Sequence, residues 1–294
     1  SFAMTPAHNG SIWVVSPAFG DFIEQIHQYD GKEFKSVWRG RAKVNIGEIR
    51  HIFQDQEDSL WIGGIRGLAV FDGQSVQRVP TDVFQDGALS ITQLEDGTLW
   101  AGTRNCIYTS TGGRLWKLKR SGFDQIPKIV ESDDGSVWVS SWSGVHRYLD
   151  ESWIAYTQED GLSTNVALSV YEDDRQRIWV GTNRGLRLYQ PGSDSDPPRA
   201  YLPEGKNLKE SPPGGEVQIV YEGVDKWNYT PRERLYYSYR LDGGNWTPFR
   251  NETVAVLTGL PSSPHVFEVR AMDLAGNIRR SPASWEFRVL PYCY

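Results

Sequence analysis

The sequence predicts an all-β protein: a β-propeller of about five four-stranded blades, closed or incomplete, followed by an immunoglobulin- or fibronectin-like β-sandwich. Three observations predict it. Tryptophans recur roughly every forty residues. Each follows a short polar turn and opens a short apolar strand. Beyond residue 199, short strands continue without that repeat.

The repeat comes first because it decides the architecture. Trp13, Trp61, Trp100, Trp138 and Trp179 are spaced by 48, 39, 38 and 41 residues. Asp58-Ser59-Leu60-Trp61-Ile62-Gly63-Gly64 is matched by Asp96-Gly97-Thr98-Leu99-Trp100-Ala101-Gly102 and by Asp134-Gly135-Ser136-Val137-Trp138-Val139-Ser140. Gln176-Arg177-Ile178-Trp179-Val180-Gly181 follows the same pattern. The wide first gap points to an insertion over residues 17–28. In the second copy, residues 49–54, 60–64, 67–71 and 74–79 read as four strands, with Asp72-Gly73 as a hairpin turn. Four strands per ~40–45 residues make a propeller blade, and the recurring Trp is expected to fill the wedge between neighbouring blades.

Composition agrees. The 294 residues hold 12 Trp, 14 Tyr, 29 Gly and 16 Pro, which favours short strands joined by turns. A net charge of −6 without a basic stripe argues against a nucleic-acid partner, and Arg279-Arg280 reads as a solvated turn. No apolar stretch is long enough to cross a bilayer. The two cysteines, Cys106 and Cys293, are too few for a disulfide framework, and Cys106 reads as a small buried residue.

Residues 191–215, rich in Pro, Gly and Ser, read as the boundary, so residues 1–199 form the propeller and 200–294 the sandwich. Strands are expected at 217–221, 235–241, 253–257, 266–272 and 285–289.

The fifth unit carries a family resemblance. It runs Asp160-Gly161-Leu162-Ser163-Thr164-Asn165-Val166, then Val170-Tyr171-Glu172-Asp173, then Ile178-Trp179-Val180-Gly181-Thr182-Asn183-Arg184-Gly185-Leu186. This resembles the two-component regulator propeller family over about residues 1–200. The C-terminal part is similar to the triple-tyrosine domain of the same receptors, through Tyr237, Tyr239-Arg240-Leu241-Asp242-Gly243, Trp246 and Phe267-Glu268-Val269-Arg270-Ala271. The resemblance implies the periplasmic sensor region of a membrane-anchored sensor kinase, often hybrid. It also implies a carbohydrate-derived ligand, a homodimer paired through the sandwich, and a membrane helix with an output module elsewhere in the protein.

No catalytic motif, cofactor-binding loop or metal-ligand spacing is present, so neither enzyme chemistry nor a cofactor is expected. The pairs Asp133-Asp134 and Asp173-Asp174 suit a turn better than a glycosidase. Tyr236, Tyr237 and Tyr239 suit either a dimer surface or the core. The turns joining strands two and three vary while their framework repeats. They offer Arg66, Arg104, Asn105, Trp142, Asn183 and Arg184, donors and a stacking ring suited to sugars, with three arginines favouring acidic ones. A secreted propeller lyase and a glycan-binding or adhesion module are the alternatives.

Overall fold

The computed structural model describes residues 3–15, 22–80, 82–189 and 194–291. Five antiparallel sheets follow in chain order, each a meander. The first holds β1 (Ala3–Pro6), β2 (Ile12–Val15), β3 (Phe22–Tyr29) and β4 (Phe34–Lys43). The second holds β5 (Ile49–Gln54), β6 (Leu60–Gly64), β7 (Gly67–Phe71) and β8 (Val76–Arg78). The third holds β9 (Ser90–Gln93), β10 (Thr98–Gly102), β11 (Cys106–Thr111) and β12 (Lys117–Ser121). The fourth holds β13 (Lys128–Glu131), β14 (Val137–Ser141), β15 (Gly144–Leu149) and β16 (Ser152–Tyr156). In the fifth, three strands are described: β17 (Ala167–Glu172), β18 (Ile178–Thr182) and β19 (Gly185–Tyr189).

The repeat has a backbone cause. The residue three before each tryptophan is left-handed: Gly10, Asp58, Gly97, Gly135 and Gln176 have φ of 80°, 65°, 82°, 78° and 57°. That single kink reverses strand one into strand two and delivers the indole to the same place in every blade. Strand one of each sheet packs on strand one of the next, β1 on β5, β5 on β9, β9 on β13 and β13 on β17. Among the described residues, no packing of that extent joins β17 back to β1.

Three of the five tryptophans meet a ring of the next blade, as expected of wedge residues. Trp13 meets Phe71 of the second blade edge-on at 6.3 Å. Trp61 meets Trp116 of the third in the same way at 6.1 Å. Trp138 lies 5.3 Å from Tyr189 of the fifth. Trp179, with no sixth blade described, is only partly buried.

Two expectations change in this part. Most of the supposed insertion is strand β3, with residues 17–21 outside the described residues. The wide first gap comes from outer strands of 8 and 10 residues rather than from a loop. Cys106 is a free thiol and half-buried rather than buried, and Cys293 lies outside the described residues.

The chain divides into two compact units, Ser1–Arg147 with Ala155–Tyr189, and Tyr148–Ile154 with Gln190–Tyr294. The second contains β20 (Arg199–Tyr201), β21 (Glu210–Ser211), β22 (Val217–Val220), β23 (Glu222–Val224), β24 (Tyr236–Leu241), β25 (Val254–Leu257), β26 (Pro264–Met272) and β27 (Ala283–Val289). The β21-β27-β26-β24 sheet and the β22-β25 and β20-β23 ribbons enclose one apolar core. Much of the expected linker is therefore structural. β20 pairs with β23, and β21 runs parallel to β27. Strands of two or three residues beside prolines are too short to show alternation, which hid them in the sequence. Residues 191–193 of that linker lie outside the described residues. Tyr237 is buried, and Tyr239 stacks on Phe267 at 5.2 Å against the same core. Both pack in the core of the second unit, Tyr239 with part of its surface exposed.

Candidate functional site

The turns joining strands two and three carry all six predicted site residues, and all six are exposed. Arg66 tips the second blade, Arg104 and Asn105 the third, Trp142 the fourth, and Asn183 and Arg184 the fifth. The matching turn of the first blade falls at residues 16–21, outside the described residues.

Backbone hydrogen bonds hold these tips in place. The crossover at residues 122–127, between the third and fourth blades, bridges two of them. Phe123 N–H and Gln125 N–H donate to the carbonyls of Asn105 and Arg104, at 3.2 and 2.6 Å. The carbonyl of Asp124 accepts from Trp142 N–H at 2.7 Å. One short loop therefore brings Arg104, Asn105 and Trp142 into a single cluster. Trp142 is 43% exposed there, so a ring surface is open to solvent. Arg104 has no carboxylate within ion-pair distance among the described residues.

The Arg120 guanidinium lies over the Phe123 ring of that loop, 5.5 Å from its centroid. Phe123 is buried and meets the His146 ring edge-on at 4.9 Å. Burial, reinforced by the nearby Arg120 charge, holds His146 down to about 4. It carries no charge at neutral pH.

The other tips are fixed separately. Arg66 N–H donates to the Ile46 carbonyl at 2.8 Å, which ties it to the entry loop of its own blade. Asn183 N–H donates to Val166 O at 3.3 Å, and Arg184 N–H to the Thr182 hydroxyl at 3.1 Å. The structure thus joins three of the six through one loop and places Arg66 on the equivalent turn of the second blade and Asn183 and Arg184 on that of the fifth.

Sequence reasoning missed Asp124, an exposed carboxylate between Arg104 and Trp142. Its only signal was the general rule that crossover loops share a face with these turns. Acceptor, donors and ring together suit a polyhydroxylated ligand, since hydroxyls both give and take hydrogen bonds.

The paired carboxylates are turn residues. Asp173 accepts from Arg175 N–H and Arg177 N–H through one oxygen, and from Arg177 Nε and Trp179 Nε1 through the other. The Arg177 guanidinium, then the indole, holds its carboxyl far below the usual range. Asp134 accepts from Ser136 and from Arg147, at 2.6 Å. Among the described residues, no group of His, Cys, Asp or Glu is arranged to hold a metal ion. Among the described residues, no helix is long and apolar enough to cross a membrane.

Residues 161–184 match the family model described as two component regulator propeller. No curated protein matches the sequence. Solved structures are similar in fold. One is the extracellular domain of BT3049 of B. thetaiotaomicron, assigned to a hybrid two component system. It is 15% identical with a TM-score of 0.53, over 98% of this chain and 50% of that one. Another is PorZ, a surface component of the type-IX secretion system of Porphyromonas gingivalis, 15% identical with a TM-score of 0.50, over 98% of this chain and 44% of that one. A third is the extracellular domain of BT4673 of B. thetaiotaomicron, 14% identical with a TM-score of 0.49, over 99% and 56%. The chain spans about half the length of these structures.

Proposed function

We propose that this chain is the extracytoplasmic, non-catalytic sensing region of a bacterial two-component receptor, and that its ligand is carbohydrate-derived and docks on the blade tips. The match at residues 161–184 and the fold likeness support the receptor class. The observation that carries the ligand class is the tip cluster, where one crossover loop, which also carries the exposed Asp124, holds the backbone of Arg104, Asn105 and Trp142. Fixed donors, an acceptor and an open indole face recognise sugar hydroxyls and the apolar face of a pyranose ring. Arg66, Arg104 and Arg184 on equivalent turns favour an acidic sugar. In this reading the second unit relays the signal and pairs two chains near a membrane helix, using surfaces other than the buried Tyr237.

The test is calorimetric titration of the purified chain with neutral and acidic oligosaccharides. The triple variant R66A/R104A/R184A is expected to bind an acidic oligosaccharide at least ~10-fold more weakly, and W142A is expected to weaken both kinds. Unchanged affinity in both variants, or turnover of the glycan by the wild-type chain, would overturn the reading.

A further inference from the structure

We infer that the second unit holds a separate binding cleft for an acidic saccharide, built on Arg199 and Arg279. The cleft has a volume of ≈ 440 Å³ and lies between β20 and the segment leading into β27. Its walls include Arg199, Tyr201, Arg279, Ser281, Ser284 and Trp285. The two arginines lie eighty residues apart in sequence and line one cleft because β20 packs against β26 and β27.

Charge points to an anion. The chain as a whole is acidic, at −6, yet the ionisable side chains with a full charge on this lining are both guanidinium groups. Neither has a carboxylate within ion-pair distance among the described residues. Two acids close to the cleft are already engaged. Asp196, close enough to feel the Arg279 charge, accepts from Trp227 Nε1 at 3.0 Å and from Lys226 Nζ at 3.3 Å. Glu222 accepts from Tyr201 Oη and from Lys206 Nζ, both at 2.7 Å. Two forked donors lining one concavity, with no ion pair among the described residues, suit a carboxylate or sulfate ester.

The rings narrow the ligand further. Tyr201 spends its hydroxyl on Glu222, and the Trp285 indole N–H donates to the Leu208 carbonyl at 3.3 Å. With their polar ends tied down elsewhere, the two residues give the cleft ring surface rather than hydrogen bonds. Ring surface, two hydroxyls from Ser281 and Ser284, and two cations together fit a sugar ring bearing an acidic group better than a bare inorganic ion. Arg279, which sequence alone makes a solvated turn residue, thereby acquires a role.

The experiment uses the full chain carrying R66A/R104A/R184A, so that the tips keep no arginine of their own to bind an acidic ligand. It is titrated with trigalacturonate, with maltotriose and with inorganic sulfate. Trigalacturonate is expected to bind, maltotriose to bind at least ~10-fold more weakly, and added R199A/R279A to cost trigalacturonate ~10-fold or more. Because both arginines are exposed, the thermal midpoint should not move. R199K/R279K keeps the charge without the fork, and an intermediate affinity is expected of it. Sulfate binding without trigalacturonate binding, no binding of either, or unchanged affinity in R199A/R279A would each overturn the inference.

Discussion

The indole N–H of Trp61 donates to Oδ2 of Asp55, six residues earlier, at 2.7 Å. The other oxygen of Asp55 accepts from Glu57 N–H and Ser59 N–H, at 3.0 and 2.8 Å. One side chain thus ties the turn to the wedge residue. Asp173 and Trp179 repeat the arrangement at 2.8 Å in the fifth blade. In the first blade the acceptor comes from the neighbour instead, since Trp13 donates to Gln54 Oε1 at 3.0 Å.

Replacing Asp55 by Ala is therefore expected to destabilise the first unit by about 2–4 kcal/mol. A buried donor loses its partner and the turn loses its acceptor at once. Asp174→Ala, at an exposed position of the fifth-blade turn, should have no measurable effect. Urea denaturation of both variants checks the contrast, and equal midpoints would refute it.

Trp138 differs from its equivalents. Among the described residues its buried Nε1 has no hydrogen-bond partner. Asp134, in the turn before it, is bound to Arg147. Trp138→Phe removes a donor that gains nothing, whereas Trp61→Phe strands the Asp55 carboxylate. The second change should cost about 1–3 kcal/mol more than the first. Chemical denaturation of the two variants measures that difference.

Blade two was legible strand by strand because its turns carry Asp, Gly and a tryptophan at fixed offsets. Strands 49–54, 60–64 and 67–71 agree with the structure to the residue. The bulge between Ile49 and His51 was not legible. It puts Ile52 and Gln54 inward, so simple alternation fails there. The tips were visible as positions, since their framework repeats while they vary. Asp124 was not, because crossover loops have no repeat to stand out from. The partnership of Trp13 with Gln54, forty-one residues on, depends on how two blades meet, and no local pattern announces it.

Acid should act on the two units with opposite sign. In the first, burial and the charge of Lys128 hold His51 down to about 4, and its Nε2–H bond to the Ile91 carbonyl only partly opposes this. His146 is likewise held at about 4. The unfolded chain takes up these protons near pH 6.5, so stability is complete above that value and falls as pH drops towards 4. The loss is up to about 3 kcal/mol per histidine. In the second unit burial lowers the pKa of His265. Its bonds to the Pro261 carbonyl at 3.0 Å and to Asp242 at 2.7 Å outweigh that and raise it overall. Its contribution is full below the unfolded value and fades as pH rises through the folded one. Denaturation between pH 7 and pH 4.5, followed by probes in each unit, should show the first unit weakening. His146→Leu should flatten that limb, and an unchanged slope would contradict the assignment.

The left-handed residue before each tryptophan gives the last prediction. Gly97 and Gly135 hold it without strain, but Gln176 has a side chain at φ 57°. A left-handed residue with a Cβ costs roughly 1–2 kcal/mol, and the greater freedom of Gly in the unfolded chain returns about half of that when Gly is introduced. Gln176→Gly should therefore stabilise the fifth blade by about 0.5–1 kcal/mol. Gly97→Ala should destabilise the third by about 1 kcal/mol, although no atom lies within 4 Å of the added methyl. Gly63→Ala differs in kind. There the backbone is ordinary, but the added methyl would run into the Ala88 carbonyl oxygen, where the crossover to the third blade passes over the strand. Its expected cost is about 3 kcal/mol, set by displacement of backbone rather than by φ. Thermal midpoints of the three variants should rank Gln176→Gly above wild type, then Gly97→Ala, then Gly63→Ala. A midpoint for Gln176→Gly below wild type would show that the turn does not require the left-handed conformation.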